Sequence, residues 1–388
     1  MKLKKTAALP VTLVMAMLLA LPLAACGDES VVRHTVAAPS LEGNLLGESV
    51  EQEIAVVLPA NYSEQGDPYP VLYFLPGFSG NHNQVAGMLS QAVKAQPAGA
   101  QSASAQPTSV QPASAQPASA QPASAQPMII VVINGTNALG GCFYVNSPVT
   151  GNWMDYVAQD VVGYVESNYH TVAEPWGRGI AGHSMGGFGA INLALNQPGM
   201  FGHVYSMSPG LFDAEGLAHS GINFIALREG MERYKDMPAS EALPAYVRDV
   251  KAMSWPNDFS FAYASAFAYD PLAPLPYIEA PLLGFGVAFI DDTGYSRYLA
   301  GFGGWEEKLA EQGDNLRALQ SFTVEYGEQD ELTWIPEGAR HFCSLLAEEG
   351  IGHEELPFEG GHVNRLQERF NDYVVPFFIE GFAAGTVE

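Results

Sequence analysis

The stretch GRGIAGHSMGGFGA, residues 177–190, holds a serine between glycines in the pattern G-x-S-x-G. Such a serine does nucleophilic chemistry where a strand turns sharply into a helix and the turn presents its hydroxyl. With 40 glycines among 388 residues, the pattern arises too easily by chance to stand alone, so its setting decides. It follows the strand-like RGIA and precedes FGAINLALNQP, an amphipathic run ended by Pro198, which is the strand–turn–helix setting that the chemistry needs. Gly182 and Gly186 would let strand and helix approach closely. Ser184 is therefore the candidate nucleophile.

A serine hydroxyl is a poor nucleophile at neutral pH, so it needs a base and a group that orients the base. For this kind of turn both are expected later in the chain, acid before histidine. EYGEQDELT ends an expected strand and offers Glu328, Asp330 and Glu331, and PFEGGHVN ends the next and offers His362. Asp330 is the favoured acid, with Glu328 its chief rival. His362 sits in a Gly-Gly turn from which an imidazole can reach Ser184. Its alternatives are weaker: His183 points away from its neighbour on the turn, His341 lies within a helix, and His353 begins a strand. The tetrahedral intermediate also requires two donors for its oxyanion. One is the amide of Met185. The other is the amide of Phe78, which Gly77 lets turn inward in VLYFLPGFSG. GGCFYVNSPVTGNW follows another strand and offers Tyr144, Asn146 and Trp153 as substrate contacts, with packing of Trp153 into the core as the alternative.

These groups can meet only if strands and helices alternate. EIAVVLP (53–59), PVLYFLPG (70–77), MIIVVING (128–135), RGIAG (178–182), HVYSMS (203–208), SFTVEYG (321–327) and HEELPF (353–358) read as strands, several continuously apolar as in a sheet buried on both faces. Helices are expected at about 82–94, 154–168, 184–196, 337–349 and 365–380. The fold class is thus α/β, a mostly parallel sheet with helices on both faces. Residues 209–320, rich in aromatics and prolines, interrupt the alternation and read as a cap-like insertion over the carboxyl ends of the strands. In residues 96–127 Gln recurs every fifth residue, usually followed by Pro. Its recurring prolines remove amide donors and block helix, and it offers little apolar area, so it reads as a disordered surface insertion.

The net charge of −25 repels phosphate backbones and argues against a nucleic-acid partner. Residues 1–25 read as a secretory signal, with a lysine-rich start and an apolar run too short to be a spanning helix. Losing its three lysines takes the charge to −28. Residues 26–45 are polar and small and read as a tether, leaving 46–388 as one domain. Of three cysteines, Cys142 and Cys343 could pair or remain free thiols. The chain has no CxxC and no HxxxH, and no metal site is expected.

VLYFLPGFSG, NSPVTGNWMDYV, IAGHSMGGFGA and the run from GEQDEL to GARHFCSLLAEEGIGHEELPFEGGH together resemble the putative esterase family of α/β-hydrolases, with its esterase D-type, feruloyl esterase and mycolyltransferase-type members. The resemblance implies an α/β-hydrolase fold, a triad of Ser184, Asp330 and His362, and an oxyanion hole from Phe78 and Met185. It implies a serine esterase without cofactor, acting on a small-molecule or carbohydrate ester. Acyl transfer to a sugar or other alcohol is the alternative, and a non-catalytic surface binding protein the third reading. Pro76 stands where many relatives have His, a departure that bears on specificity. LAAC, residues 23–26, resembles the lipobox of bacterial lipoproteins. It implies an exported chain anchored to the membrane by lipid on Cys26.

Overall fold

The computed structural model describes residues 30–60, 62–95, 127–279, 283–284, 287–288 and 292–385. The signal segment, Cys26 and residues 96–126 of the repeat lie outside the described residues. Eight strands form the main sheet: β1 (Val31–Ala37), β2 (Glu51–Val57), β3 (Val71–Leu75), β4 (Ile129–Ile133), β5 (Arg178–His183), β6 (His203–Met207), β7 (Ser321–Gly327) and β8 (Glu354–Phe358). Their order is β1-β2-β4-β3-β5-β6-β7-β8. β2 runs antiparallel to both β1 and β4, and the other neighbours are parallel.

VLYFL of β3 and IIVVI of β4 are buried at every position, because helices cover both faces and alternate side chains enter two different cores. Tyr73, Leu75, Val131, Ile133 and Ile180 face one core. There they meet α2, which starts at Trp153–Asp155 and runs through a π-helical stretch, Tyr156–Val161, into Val162–Asn168, and α3 (Met185–Asn196). Leu72, Phe74, Ile130, Val132 and Ala181 face the other core. They meet α1 (His82–Ala95) and a C-terminal helix whose segments are Leu366–Arg369, Phe370–Val374 and Val375–Ala384.

Two boundaries differ from the sequence reading. Residues 31–37, assigned there to a tether, form the edge strand β1, paired from Val31↔Val57 to Ala37↔Glu51. An edge strand with one half-solvated face needs few large apolar residues, so VVRHTVA carries only a weak signal. The insertion also ends earlier than 320. It contains α4 (Phe224–Tyr234), α5 (Ala239–Ala252), α6 (Asn257–Phe267), α7 (Asp292–Ala300) and a small hairpin. α8 (Trp305–Arg317) instead joins the layer of α3 and α9 (Trp334–Glu348). Trp305 packs against Phe188 of α3 and Phe342 of α9 with ring centroids 6.2 and 4.6 Å apart.

Candidate active site

Ser184 stands between β5 and α3 with φ 59° and ψ −116°. A serine held in that region costs on the order of 1–3 kcal/mol and persists only where its surroundings fix it. Here its amide donates to the Met207 carbonyl at 2.8 Å, and its own carbonyl accepts from the amides of Phe188 and Gly210 at 3.1 and 3.2 Å. The turn also needs its glycines. A Cβ on Gly186 would lie 1.8 Å from the Leu75 carbonyl oxygen, and one on Gly182 would lie 2.2 Å from the Gly186 oxygen.

The parallel order β5-β6-β7-β8 brings the loops after β7 and β8 beside this turn. His362 Nε2 lies 2.9 Å from Ser184 Oγ, and His362 Nδ1 lies 2.7 Å from Asp330 Oδ2. The Asp330 side chain is 0% exposed, which shields this contact from water. Its other oxygen accepts from the Leu332 amide at 2.8 Å. An ionised Asp330 requires the proton on Nδ1, leaving the Nε2 lone pair free to accept from the serine hydroxyl. Glu328 is exposed. His341 pairs with Glu306 at 3.3 Å, and His353 bonds the Ile351 carbonyl at 2.9 Å.

The backbone of His362 is gripped from three sides that the sequence reading did not foresee. Its amide donates to Glu331 Oε2 at 3.1 Å. Its carbonyl accepts from His183 Nε2 at 2.9 Å and from Arg369 Nη1 at 3.4 Å. Burial, reinforced by His362 and Arg369, holds the His183 imidazole well below its ordinary pKa, so it is neutral with the proton on Nε2. Arg369 forms a buried ion pair with Glu325 and donates to Ser208 Oγ at 3.2 Å. Tyr205 donates to the second Glu325 oxygen at 2.6 Å. Burial, and then the neighbouring Glu325, keep that phenol protonated. No spacing rule links Glu325, Tyr205 and Arg369 in the chain, so only the tertiary fold reveals the set.

On the opposite side, a Cβ on Gly77 would lie 3.3 Å from Ser184 Cβ, so the loop after β3 abuts the serine. The amides of Ser79 and Gly80 donate to the carbonyls of Gly140 and Gly77 at 2.8 and 2.9 Å. Among the described residues the Phe78 amide, just before them in the chain, has no backbone acceptor. Met185 opens α3, where a helix leaves its first amides without intrahelical partners. This pairing of a buried acid, a histidine and a serine with two nearby amides can deprotonate a hydroxyl and hold a developing oxyanion.

Of the three expected substrate contacts, Tyr144 is corrected, and Trp153 takes the core packing that the sequence left as its alternative. Tyr144 and Trp153 are both 0% exposed. The Tyr144 hydroxyl donates to the Pro76 carbonyl at 2.9 Å, and Trp153 Nε1 donates to the Thr150 carbonyl at 2.7 Å. Asn146 Oδ1 accepts from the amides of Met154 and Asp155 at 3.1 and 3.2 Å and so caps the start of α2. Cys142 and Cys343 are separate, buried free thiols whose pKa values burial raises. Among the described residues one trio of metal-ligating types converges, Asp213, His219 and Glu337. Its His219 lies 3.0 Å from Asp213 and is half exposed, an arrangement that ion pairing explains.

Residues 48–220 match the model of the family described as "Putative esterase". The matched stretch includes β2 to β6, the Ser184 turn and the Phe78 loop. An esterase of Mycobacterium tuberculosis strain H37Rv, Esterase Rv1288, is 28% identical over 160 residues, which are 40% of this chain and 28% of that protein. The chain thus spans little more than a quarter of the length of the curated relatives it matches. FphF, a fluorophosphonate-binding serine hydrolase of Staphylococcus aureus, is 14% identical, with a TM-score of 0.50 and coverage of 91% of this chain and 98% of that one. A ferulic acid esterase is 17% identical, with a TM-score of 0.47 and coverage of 90% and 98%. The chain has the α/β-hydrolase fold, and the family match supports the serine-esterase class read from its motifs.

Proposed function

We propose that this chain hydrolyses carboxylic esters through an acyl-enzyme on Ser184. His362 Nε2 takes the hydroxyl proton as Ser184 Oγ attacks the acyl carbon. The amides of Met185 and Phe78 hold the oxyanion, and Asp330 keeps the imidazole in its productive tautomer and stabilises the imidazolium. Collapse of the intermediate breaks the ester C–O bond, and His362 returns the proton to the departing alcohol. Water, deprotonated by His362, then releases the acid. The observation that carries this reading is the unbroken chain from Ser184 Oγ through His362 to the buried Asp330, with links of 2.9 and 2.7 Å.

The insertion supports an ester with an apolar part. α6 sets Phe259 against Phe78, ring centroids 5.5 Å apart, and Trp255 packs on Phe259 at 4.5 Å. The wall beside one proposed oxyanion donor is therefore aromatic. Export and a lipid on Cys26 belong to the same proposal, and topology is compatible with both. Val31 pairs with Val57, and Val57 with Ile130 at the start of β4. The described chain thus begins at the amino ends of the parallel strands, while Ser184 follows the carboxyl end of β5. A tether at Ser30 would leave the site facing away from its anchor. No helix among the described residues is long and apolar enough to cross a membrane.

The test compares hydrolysis of p-nitrophenyl butyrate by the wild-type chain and by Ser184→Ala. Loss of at least about 10⁴-fold in kcat is expected for the variant, and equal rates would end this reading. Repeating the assay with a carbohydrate acceptor separates hydrolysis from transfer by the products formed.

A further inference from the structure

Tyr144 was expected to touch substrate, yet it is fully buried and its side chain makes one directed hydrogen bond, from its hydroxyl to the Pro76 carbonyl at 2.9 Å. Pro76 directly follows β3 and precedes the Gly77–Phe78 turn. On its other side the ring lies against α3, where a Cβ on Gly189 would come within 2.5 Å of Tyr144 Cδ2. Gly189 is one helical turn beyond Met185. The Tyr144 carbonyl accepts from Asn192 of the same helix at 3.4 Å, and the preceding Phe143 amide approaches Met185 Sδ at 3.4 Å. The hydroxyl also packs against Gly135, where a Cβ would lie 2.1 Å from it. Phe143 and Tyr144 both adopt left-handed backbone, φ 55° and 54°, a conformation that costs energy in bulky residues and persists only where the fold demands it.

We infer that Tyr144 is a positioning residue that sets the separation and aim of the two amides, Phe78 and Met185, assigned above to the oxyanion. The inference rests on the reading of Ser184 as nucleophile. Its ring spaces the loop that carries one amide from the helix that carries the other. Its hydroxyl fixes the plane of the peptide after Pro76. Beyond Phe78, the bonds from Ser79 to Gly140 and from Gly80 to Gly77 fix the chain again, so the Phe78 amide is oriented from both directions. Burial holds the phenol protonated, so it donates throughout the range in which His362 would act as base. Tyr144 touches no substrate in this account. It acts on an oxyanion that exists only during reaction, so its effect belongs in kcat and not in KM.

Tyr144→Phe keeps the ring and deletes the hydroxyl. Its kcat for p-nitrophenyl butyrate is measured per active site, with sites counted by complete labelling with a fluorophosphonate, so that any unfolded fraction drops out. Removing an oxyanion donor outright costs about 10²–10³-fold, and a misaimed one should cost less. The expected result is a fall in kcat of about ten-fold with KM within two-fold of wild type. Affinity for an alkyl boronic acid, whose tetrahedral adduct places an oxygen where the oxyanion would sit, should fall in parallel. A variant with wild-type kcat and boronate affinity per site, or one changed in KM alone, overturns the inference while leaving the nucleophile reading intact. A wild-type chain that hydrolyses no ester overturns that parent reading, and this inference with it.

Discussion

The loop that carries His362 is pinned by directed polar and charged groups, and the loop that carries Phe78 is pinned by shape. On the base side the grips are directional: Glu331 on the amide, His183 and Arg369 on the carbonyl, and beneath them the buried Glu325–Arg369 pair that Tyr205 and Ser208 complete. On the oxyanion side an aromatic wedge fills the space that glycines leave, and one hydroxyl fixes the register. The difference matches the tasks proposed for the two loops. A base must swing a proton between two partners and carries charge during the reaction, so it is surrounded by groups that answer charge. Backbone amides carry fixed dipoles and need only be held at the right distance.

Changes on the two sides should therefore fail in different ways. Asp330→Asn removes the charge that answers the imidazolium, and kcat should fall about 10⁴-fold with the fold retained. Stopped-assay kinetics with circular dichroism would check this, and a loss below ten-fold would shift the acid role to another carboxylate. Arg369→Met leaves Glu325 buried without its partner, and breaking such a pair costs about 3–5 kcal/mol. Urea denaturation should register that loss as a lower midpoint. The roughly ten-fold kcat effect of Tyr144→Phe is smaller and should come without change in KM. Smallest is Asn146→Ala, which removes the cap on α2 and should cost about 1 kcal/mol of stability. Its KM should stay at the wild-type value, and a several-fold rise would restore Asn146 to the substrate contacts.

The same contrast explains what the sequence could disclose. Strands β3 and β4 were legible because burial on both faces forces continuous apolar runs, VLYFL and IIVVI. Ser184, Asp330 and His362 stood out because strand ends in a parallel sheet deliver loop residues in a fixed chain order. β1 was obscured by its edge position. α8 was hidden because its aromatic neighbours made the whole of 209–320 look like one insertion, although Trp305 faces α3. Tyr144 was misread, and Trp153 left open, for one reason. A polar or aromatic side chain after a strand end can face the substrate or satisfy a buried backbone group, and only the tertiary partners, Pro76, α2 and Thr150, decide. The Arg369–Glu325 pair left no local trace, since its two residues lie on different elements.

The central claim is that Ser184 is the residue that becomes acylated. Incubating the chain with a fluorophosphonate and mapping the adduct by peptide mass spectrometry tests it most directly. The account predicts one adduct per chain, on the peptide that contains Ser184, absent from Ser184→Ala and formed in step with loss of p-nitrophenyl butyrate hydrolysis. An adduct on any other residue, or hydrolysis that survives complete labelling of Ser184, would contradict it.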